Sequence, residues 1–331
     1  MKTFKKFICI FLIVVMCLTS APLDGFDMFD FSAWFANKAS AIGELKTTGQ
    51  CGDNAYWELN IDTGELVVSG TGSMWDYTNN GDWVFNSPLS NRSDIKKVVI
   101  GDNITKIGNM SFVGSTNIET VIIGNSVKTI GMLAFWMCDK LENLTLGKNI
   151  EVIDYGAFYG CASLKNFSLP NSLITIGDMA FDHCTSLTQV IIPEGTTEVG
   201  NSAFSGCENV VNISLPKTLN KIGNGAFLFS VDYFTPEKFE NGVFYIDSYL
   251  IFANKETGAY CEIKSGTTLI ADGAFEYSNV LQSVTIPESV KYIGDNAFDS
   301  STIQEVYIPR NVEKIGNQAF NECESLKRII V

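Results

Sequence analysis

From Ile95 onward, apolar residues return to the same places every 23 residues. The fourth unit shows the plan: Leu164, Phe167, Leu169, Leu173, Ile176, Ala180, Phe181 and Cys184. Units begin at Ile95, Ile118, Leu141, Leu164, Leu187 and Val210, and resume at Leu281 and Ile303. A fixed period of this size marks a solenoid, in which each unit buries its apolar face against its neighbours. Alternation at Phe167-Ser168-Leu169 predicts a short strand. Pro170, Pro193, Pro216, Pro287 and Pro309 end its pairing, because proline has no amide donor. A second extended piece covers 173–176, Gly177 permits a bend, and Ala180-Phe181 opens a short helical turn closing at Cys184. Rungs stacked at the inter-strand spacing of about 4.8 Å place like over like. Phe112, Phe135, Phe158, Phe181, Phe204, Phe227, Phe275, Phe298 and Phe320 should therefore form one core column, and Cys138, Cys161, Cys184 and Cys207 another.

Two stretches leave this rhythm. In residues 42–94, Tyr56-Trp57-Glu58-Leu59-Asn60-Ile61 and Glu65-Leu66-Val67-Val68-Ser69 flank Asp62-Thr63-Gly64, which predicts a β-hairpin. A stack of rungs exposes an apolar end, so this β-rich segment is expected to be its N-terminal cap. Asn79-Asn80-Gly81 and Ser87-Pro88 read as loops. Between Ile222 and Ile270 the count is 48 rather than 23, which places an insertion at 233–257. It is expected to be a small hairpin turning at Asp247-Ser248 and protruding from the stack. Its aromatics, Tyr233, Phe234, Phe239, Phe244, Tyr245, Tyr249 and Phe252, either meet a partner or pack onto the rungs.

The N-terminus changes the setting. Lys2, Lys5 and Lys6 precede an apolar run at 7–18, the anatomy of a signal peptide. Residues 1–41 are assigned to it, with cleavage after residue 21 or, as favoured by Ala39-Ser40-Ala41, after residue 41. The run is too short to cross a bilayer, which takes about 20 residues. Removing 1–41 takes away four Lys and three Asp and leaves a net charge near −15. Such a field disfavours nucleic acid and anionic membrane partners. A secreted or cell-surface protein with no membrane span is expected, and 46% hydrophobic residues exclude a disordered chain.

Laid out as Leu-x-x-Val-x-Ile-Pro-x-x-Val-x-x-Ile-Gly-x-x-Ala-Phe-x-x-Cys, the units over 95–331 resemble the BspA-like leucine-rich repeat family. Leu281-Gln282-Ser283-Val284-Thr285-Ile286-Pro287 through Ile293-Gly294 to Ala297-Phe298 is a close copy of its consensus. Cys51-Gly52-Asp53-Asn54-Ala55-Tyr56-Trp57, with Val68-Ser69-Gly70-Thr71-Gly72-Ser73-Met74, is similar to the leader before such repeats. Asp154 and Ala271 depart from the glycine position, Ser111 from alanine, and Ser115, Ser230, Ser278 and Ser301 from cysteine. The resemblance implies a leucine-rich repeat solenoid of the α/β horseshoe type, strand-rich, with short parallel strands and short helical turns. It also implies a secreted or surface-attached bacterial protein, and adhesins of the family bind host matrix proteins such as fibronectin or fibrinogen. It carries no ligand motif onto this chain residue by residue.

Chemistry is sparse. The four column cysteines come within disulfide range by distance alone, so Cys138–Cys161 or Cys184–Cys207 pairs stand beside a reduced, packed ladder. His183, the sole histidine, is expected to point outward while Cys184 points inward, which separates them. No catalytic, cofactor or metal residues are assigned, and a non-catalytic protein is expected. The outward strand positions are the favoured partner-binding face: Lys97/Val99, Thr120/Ile122, Asn143/Thr145, Asn166/Ser168, Gln189/Ile191, Asn212/Ser214 and, after the insertion, Ser283/Thr285, Glu305/Tyr307 and Arg328/Ile330. It should run as one continuous surface for an extracellular protein or glycan. A structural spacer of the cell surface is the alternative, and an enzyme with its site in the cap or insertion the third. The strand at the end of the chain offers an open edge for self-association.

Overall fold

The computed structural model describes residues 46–78, 85–228 and 239–331. The expected signal peptide, the loop at Asn79-Asn80-Gly81, Ser230, Tyr233 and Phe234 lie outside these residues.

Each repeat forms a rung with three sides. The first side is a strand: β4 (Lys97–Ile100), β6 (Thr120–Ile123), β8 (Asn143–Thr145), β11 (Gln189–Ile191), β13 (Asn212–Ser214), β18 (Tyr260–Glu262), β20 (Ser283–Thr285), β22 (Glu305–Tyr307) and β24 (Arg328–Ile330). The second side is a shorter strand: β5 (Ile104–Ile107), β7 (Thr129–Ile130), β9 (Val152–Ile153), β10 (Thr175–Ile176), β12 (Glu198–Val199), β14 (Lys221–Ile222), β19 (Leu269–Ile270), β21 (Tyr292–Ile293) and β23 (Lys314–Ile315). Pairing is parallel and keeps the repeat register. Val98 lies on Val121 and Val121 on Leu144, while Ile107, Ile130, Ile153, Ile176, Val199 and Ile222 follow one another along the second wall.

The third side is not helical, contrary to the sequence expectation. In the rung after Gly131, the amides of Ala134, Trp136 and Cys138 bond three residues back, to Gly131, Leu133 and Phe135. The amides between them, of Leu133, Phe135 and Met137, instead reach Tyr155, Ala157 and Tyr159 of the next rung, each at 2.8 Å. Leu133 (φ 54°) and Met137 (φ 57°) are left-handed, which breaks any helical run. Half the amides on this side thus tie rung to rung. The helical element of the described residues is one 3-10 turn, Lys255–Thr257.

This stacking brings the phenylalanines face to face. Ring centroids lie 5.0 Å apart for Phe112–Phe135, 5.3 Å for Phe135–Phe158, Phe158–Phe181 and Phe181–Phe204, and 5.9 Å for Phe204–Phe227. Beyond the insertion the column resumes at 4.9 and 5.2 Å through Phe275, Phe298 and Phe320. The glycine before the turns serves close approach rather than a special bend. A Cβ on Gly200 would stand 2.4 Å from the Asp178 amide nitrogen, and one on Gly147, at the other corner, 2.2 Å from the Gly124 carbonyl oxygen.

At the N-terminal end β1 (Thr48–Gln50), β2 (Asn54–Asn60) and β3 (Glu65–Ser73) form an antiparallel meander. The left-handed Gly64 (φ 70°) closes the β2–β3 turn. β3 outruns the expected strand and meets both walls, pairing with β4 from Glu65 to Val68 and with β5 at Gly72 and Ser73. The insertion folds as β15 (Phe239–Glu240), β16 (Val243–Ile246) and β17 (Tyr249–Ala253), turning at Asp247 (φ 52°) and Ser248. It does not protrude. β17 pairs in parallel with β19, Tyr249 and Phe244 are buried, and the Tyr249 hydroxyl donates to the Pro216 carbonyl. Burying these rings against Pro216 and β19 outweighs leaving them in water. The Asp272 amide bonds the Ile222 carbonyl at 2.8 Å across the insertion, although β14 and β19 belong to separate sheets.

Candidate functional site

The outward side chains of the first wall line up in rows. Lys97, Thr120 and Asn143 are consecutive register partners, as are Val99, Ile122 and Thr145. Both rows continue onto β3 through Glu65 and Val67, and Val67 pairs with Glu58 of β2. The face therefore reaches further toward the N-terminus than the repeat positions alone indicate. Lys97 Nζ is held by Glu65 at 2.8 Å, and Val99, Thr120 and Ile122 are half-buried. Asn143, Thr145, Asn166, Ser168, Asn212 and Ser214 are exposed, Gln189 is half-buried, and Ile191 keeps 51% of its surface. Past the insertion, Ser283 is half-buried, while Thr285, Glu305, Tyr307 and Ile330 are exposed and Arg328 Nη2 pairs with Glu305 at 2.6 Å.

The face is not continuous. It splits into β3-β4-β6-β8, β11-β13 and β18-β20-β22-β24. The second break is the insertion. The first lies at Asn166, Phe167 and Ser168, which form no strand. Where other rungs turn Val98, Val121, Leu144 or Val190 inward, this one carries Phe167, whose ring tilts 33° against Phe181 at 5.3 Å. The break thus falls at the rung that carries the bulkier residue. Asn166 partly bridges the opening: its Oδ1 accepts from the Thr188 and Gln189 amides at 3.0 and 3.2 Å, and its Nδ2 donates to Thr188 Oγ1 at 2.7 Å. A crevice of about 10 Å³ remains, room for little more than one water molecule, lined by Phe167, Leu169, Leu187, Gln189, Val190, Ile191 and Phe204.

The cysteines sit inside. Cys138, Cys161, Cys184 and Cys207 are fully buried, free of disulfides, and each Sγ donates to the carbonyl of the previous rung's phenylalanine at 3.2–3.4 Å. Ser115 makes the same kind of bond to Leu89 at 2.8 Å, so serine and cysteine exchange there on hydrogen-bonding grounds. Burial holds all four thiols well above the usual range, in their unreactive form. His183 points outward, left-handed at φ 58°, with Nδ1 2.7 Å from Asp182 Oδ1; that hydrogen bond raises its pKa.

Other carboxylates and amides brace the stack. Asp178 Oδ1 accepts from the Asn201 amide at 2.7 Å, Asn201 Oδ1 from Asn224 at 2.8 Å, and Asp272 Oδ1 from Asp295 at 2.8 Å. At the insertion, Lys221 Nζ lies 3.3 Å from Asp295 and 3.7 Å from Asp272. Burial outweighs that cation at Asp272 and pushes its carboxyl up to about 6, while Asp295, more exposed and hydrogen-bonded to the Asn317 amide and Lys221, is lowered. Among the described residues no group of three or more His, Cys, Asp or Glu is placed to hold a metal ion, and no helix is long and apolar enough to cross a membrane.

The turn side holds a feature the strand-centred reading passed over. Phe85, Trp136, Tyr159 and His183 form a ribbon with successive ring separations of 6.4, 6.2 and 5.6 Å. Large left-handed residues lie over glycines of the next rung, Leu133 over Gly156 and Met137 over Gly160. The repeat spacing carries the signal for both, since Tyr159 lies 23 residues after Trp136, and Gly156 and Gly160 lie 23 after Leu133 and Met137.

The chain matches the BspA type leucine rich repeat region in six copies, over residues 86–184, 151–256 and 245–331. No curated protein matches it. Among solved structures it is similar to a leucine-rich repeat protein of Eubacterium ventriosum, at 23% identity over 86% of this chain and 72% of the other, with a TM-score of 0.45. A leucine-rich repeat protein of Bacteroides ovatus shows 22% identity over 84% and 69%, with a TM-score of 0.42. A leucine rich cell surface protein of Faecalibacterium prausnitzii shows 23% over 84% and 86%, with a TM-score of 0.40. Three-quarters of the sequence falls within the family's repeats, and the chain belongs to the BspA-type leucine-rich repeat family.

Proposed function

We propose that this is a secreted or cell-surface repeat protein that binds an extracellular macromolecule through the first wall, without catalysis. The observation that carries the reading is the make-up of that wall. In a chain of net charge −14, the outward row positions from β4 to β13 hold one charged side chain, Lys97, already paired with Glu65. Around it stand uncharged polar and β-branched residues in strict register, with Ile191 exposed. Extended faces of solenoids present side chains in just this way. The non-catalytic reading rests on how the reactive groups are used: the thiols bond phenylalanine carbonyls inside the stack, and Asp178, Asp272 and Asp295 bond amides of the following rung. The surface location is supported by the basic residues and apolar run at the N-terminus.

The test is binding of the full chain to immobilised fibronectin, fibrinogen and a glycan array, beside Asn143→Glu/Asn212→Glu. Binding that the double variant loses supports the reading. No binding to any of these surfaces, or binding the variant retains, refutes it and leaves the spacer role.

A further inference from the structure

A regular rung is tied to the next by backbone bonds on all three sides. Between 118–140 and 141–163, the Asn143 amide bonds the Glu119 carbonyl at 3.0 Å on the first side. The Asp154 amide bonds Ile130 at 3.0 Å on the second, and the Phe135 amide bonds Ala157 at 2.8 Å on the third. At the insertion this changes. Among the described residues, the Asp272 amide on the Ile222 carbonyl is the one backbone bond between 46–228 and 239–331, and no strand ladder spans the two. The Ala274 carbonyl, which by register would serve Phe227, takes the Ala253 amide at 2.9 Å.

The part beyond the insertion also has its own beginning. β15-β16-β17 is an antiparallel meander whose last strand pairs in parallel with β19, as the last strand of β1-β2-β3 pairs with β5. A stack of repeats needs its ends capped, and this meander caps two. Phe244, Ile246, Tyr249 and Ile251 close the first core, while Val243 and Leu250 start the second. The meander's backbone belongs to the second stack through β19, so it meets the first stack by side chains. Besides those four, the Tyr249 hydroxyl donates to the Pro216 carbonyl, and Asp247 Oδ2 accepts from the Leu215 amide at 3.4 Å. Lys221 reaches Asp295 and Asp272, and Asn224 Nδ2 donates to Glu276 Oε2 at 3.0 Å.

We infer that 239–331 is a second stack that opens from the first as one unit, along the plane between 215–224 and the meander. In a repeat array, stability is a sum of unit terms and nearest-neighbour interfaces, so the array parts where an interface loses its backbone bonds. Within each stack the ladders make opening cooperative, and contiguous blocks of this kind open below the global unfolding energy. The strands β18, β20, β22 and β24 ride on the second stack, so the first wall is carried by two bodies.

The test is hydrogen exchange of the full chain at stepwise urea below its unfolding transition, read by peptide mass spectrometry. Amides of Leu269, Ile270, Phe275, Tyr292 and Ile293 should exchange through one shared opening. Those of Thr129, Ile130, Thr175 and Ile176 should exchange through another, rarer and with a steeper urea slope because it exposes more surface. Tyr249→Phe, which removes the bond to Pro216, should speed exchange in 239–331 about tenfold and leave 118–200 unchanged. Asn224→Ala, at an exposed side chain whose own amide keeps its bond to Asn201, should act in the same direction by about twofold. Ser172→Ala, which removes a bond to the Ile150 carbonyl inside the first stack, should leave 239–331 unchanged. A single opening shared by both stacks overturns the inference. So does protection that falls evenly from rung to rung toward Val331 with no step at the insertion. Equal acceleration of both stacks by Tyr249→Phe, or of neither by Tyr249→Phe and Asn224→Ala, overturns it as well.

Discussion

Truncating Phe158 should damage the stack far more than truncating Phe320, although both occupy the same repeat position. Phe158 is fully buried, with Phe135 and Phe181 at 5.3 Å on its two faces. Phe158→Ala removes a whole aromatic side chain from a site whose neighbours are held by rung-to-rung backbone bonds and cannot collapse inward. A loss of about 3–5 kcal/mol is expected, with about 0.5–1.5 kcal/mol of it from each stacked ring pair. Phe320 has a ring on one side, Phe298 at 5.2 Å, and is half-buried. Its truncation should cost about 1–2 kcal/mol. Domains are stabilised by about 5–15 kcal/mol in all, so the two variants should part clearly in urea titrations followed by circular dichroism. Equal midpoints for Phe158→Ala and Phe320→Ala would refute the idea that the column is a cooperative stack.

Three further outcomes follow from the same geometry. Gly200→Ala should cost about 1–3 kcal/mol through rung separation, and an unchanged urea midpoint would contradict the close approach. Cys138, Cys161, Cys184 and Cys207 should resist iodoacetamide until the protein is denatured, as read by peptide mass mapping; Cys184→Ser should cost about 1 kcal/mol or less, its hydroxyl taking over the bond to Phe158. Labelling of these four in the native state would refute the ladder. The Asp272 carboxyl, raised by burial from 3.8 to about 6, favours the protonated fold, so its contribution is full below its unfolded pKa and is lost as pH rises through 6. Relative to Asp272→Asn, which keeps an acceptor for the Asp295 amide, the native chain should lose about 2 kcal/mol between pH 4 and pH 7.5. A pH-independent difference between the two would refute the burial argument.

The period made the stack legible, because Phe and Cys at fixed intervals admit one stacking. The turn at Asp247-Ser248 was legible from the β-rich runs on either side of it. The helical turn was misjudged because an apolar pair followed by cysteine fits a helix and a run of turns equally well. What decides between them is left-handed φ at Leu133 and Met137, residues that seldom adopt it. The hairpin's pairing with β19 was hidden for a similar reason: an aromatic run does not state which edge it joins. The wall's continuity failed at a residue that did carry a signal, since Phe167 is bulkier than its column mates.

The most direct measurement compares two charge pairs of equal size on different walls. Binding of the full chain to the surface that captures it is titrated for Asn143→Glu/Asn212→Glu on the first wall and Thr129→Glu/Thr175→Glu on the second. Loss of binding in the first alone is the expected result. Equal loss in both, or loss only in the second, would contradict the assignment of the first wall as the site.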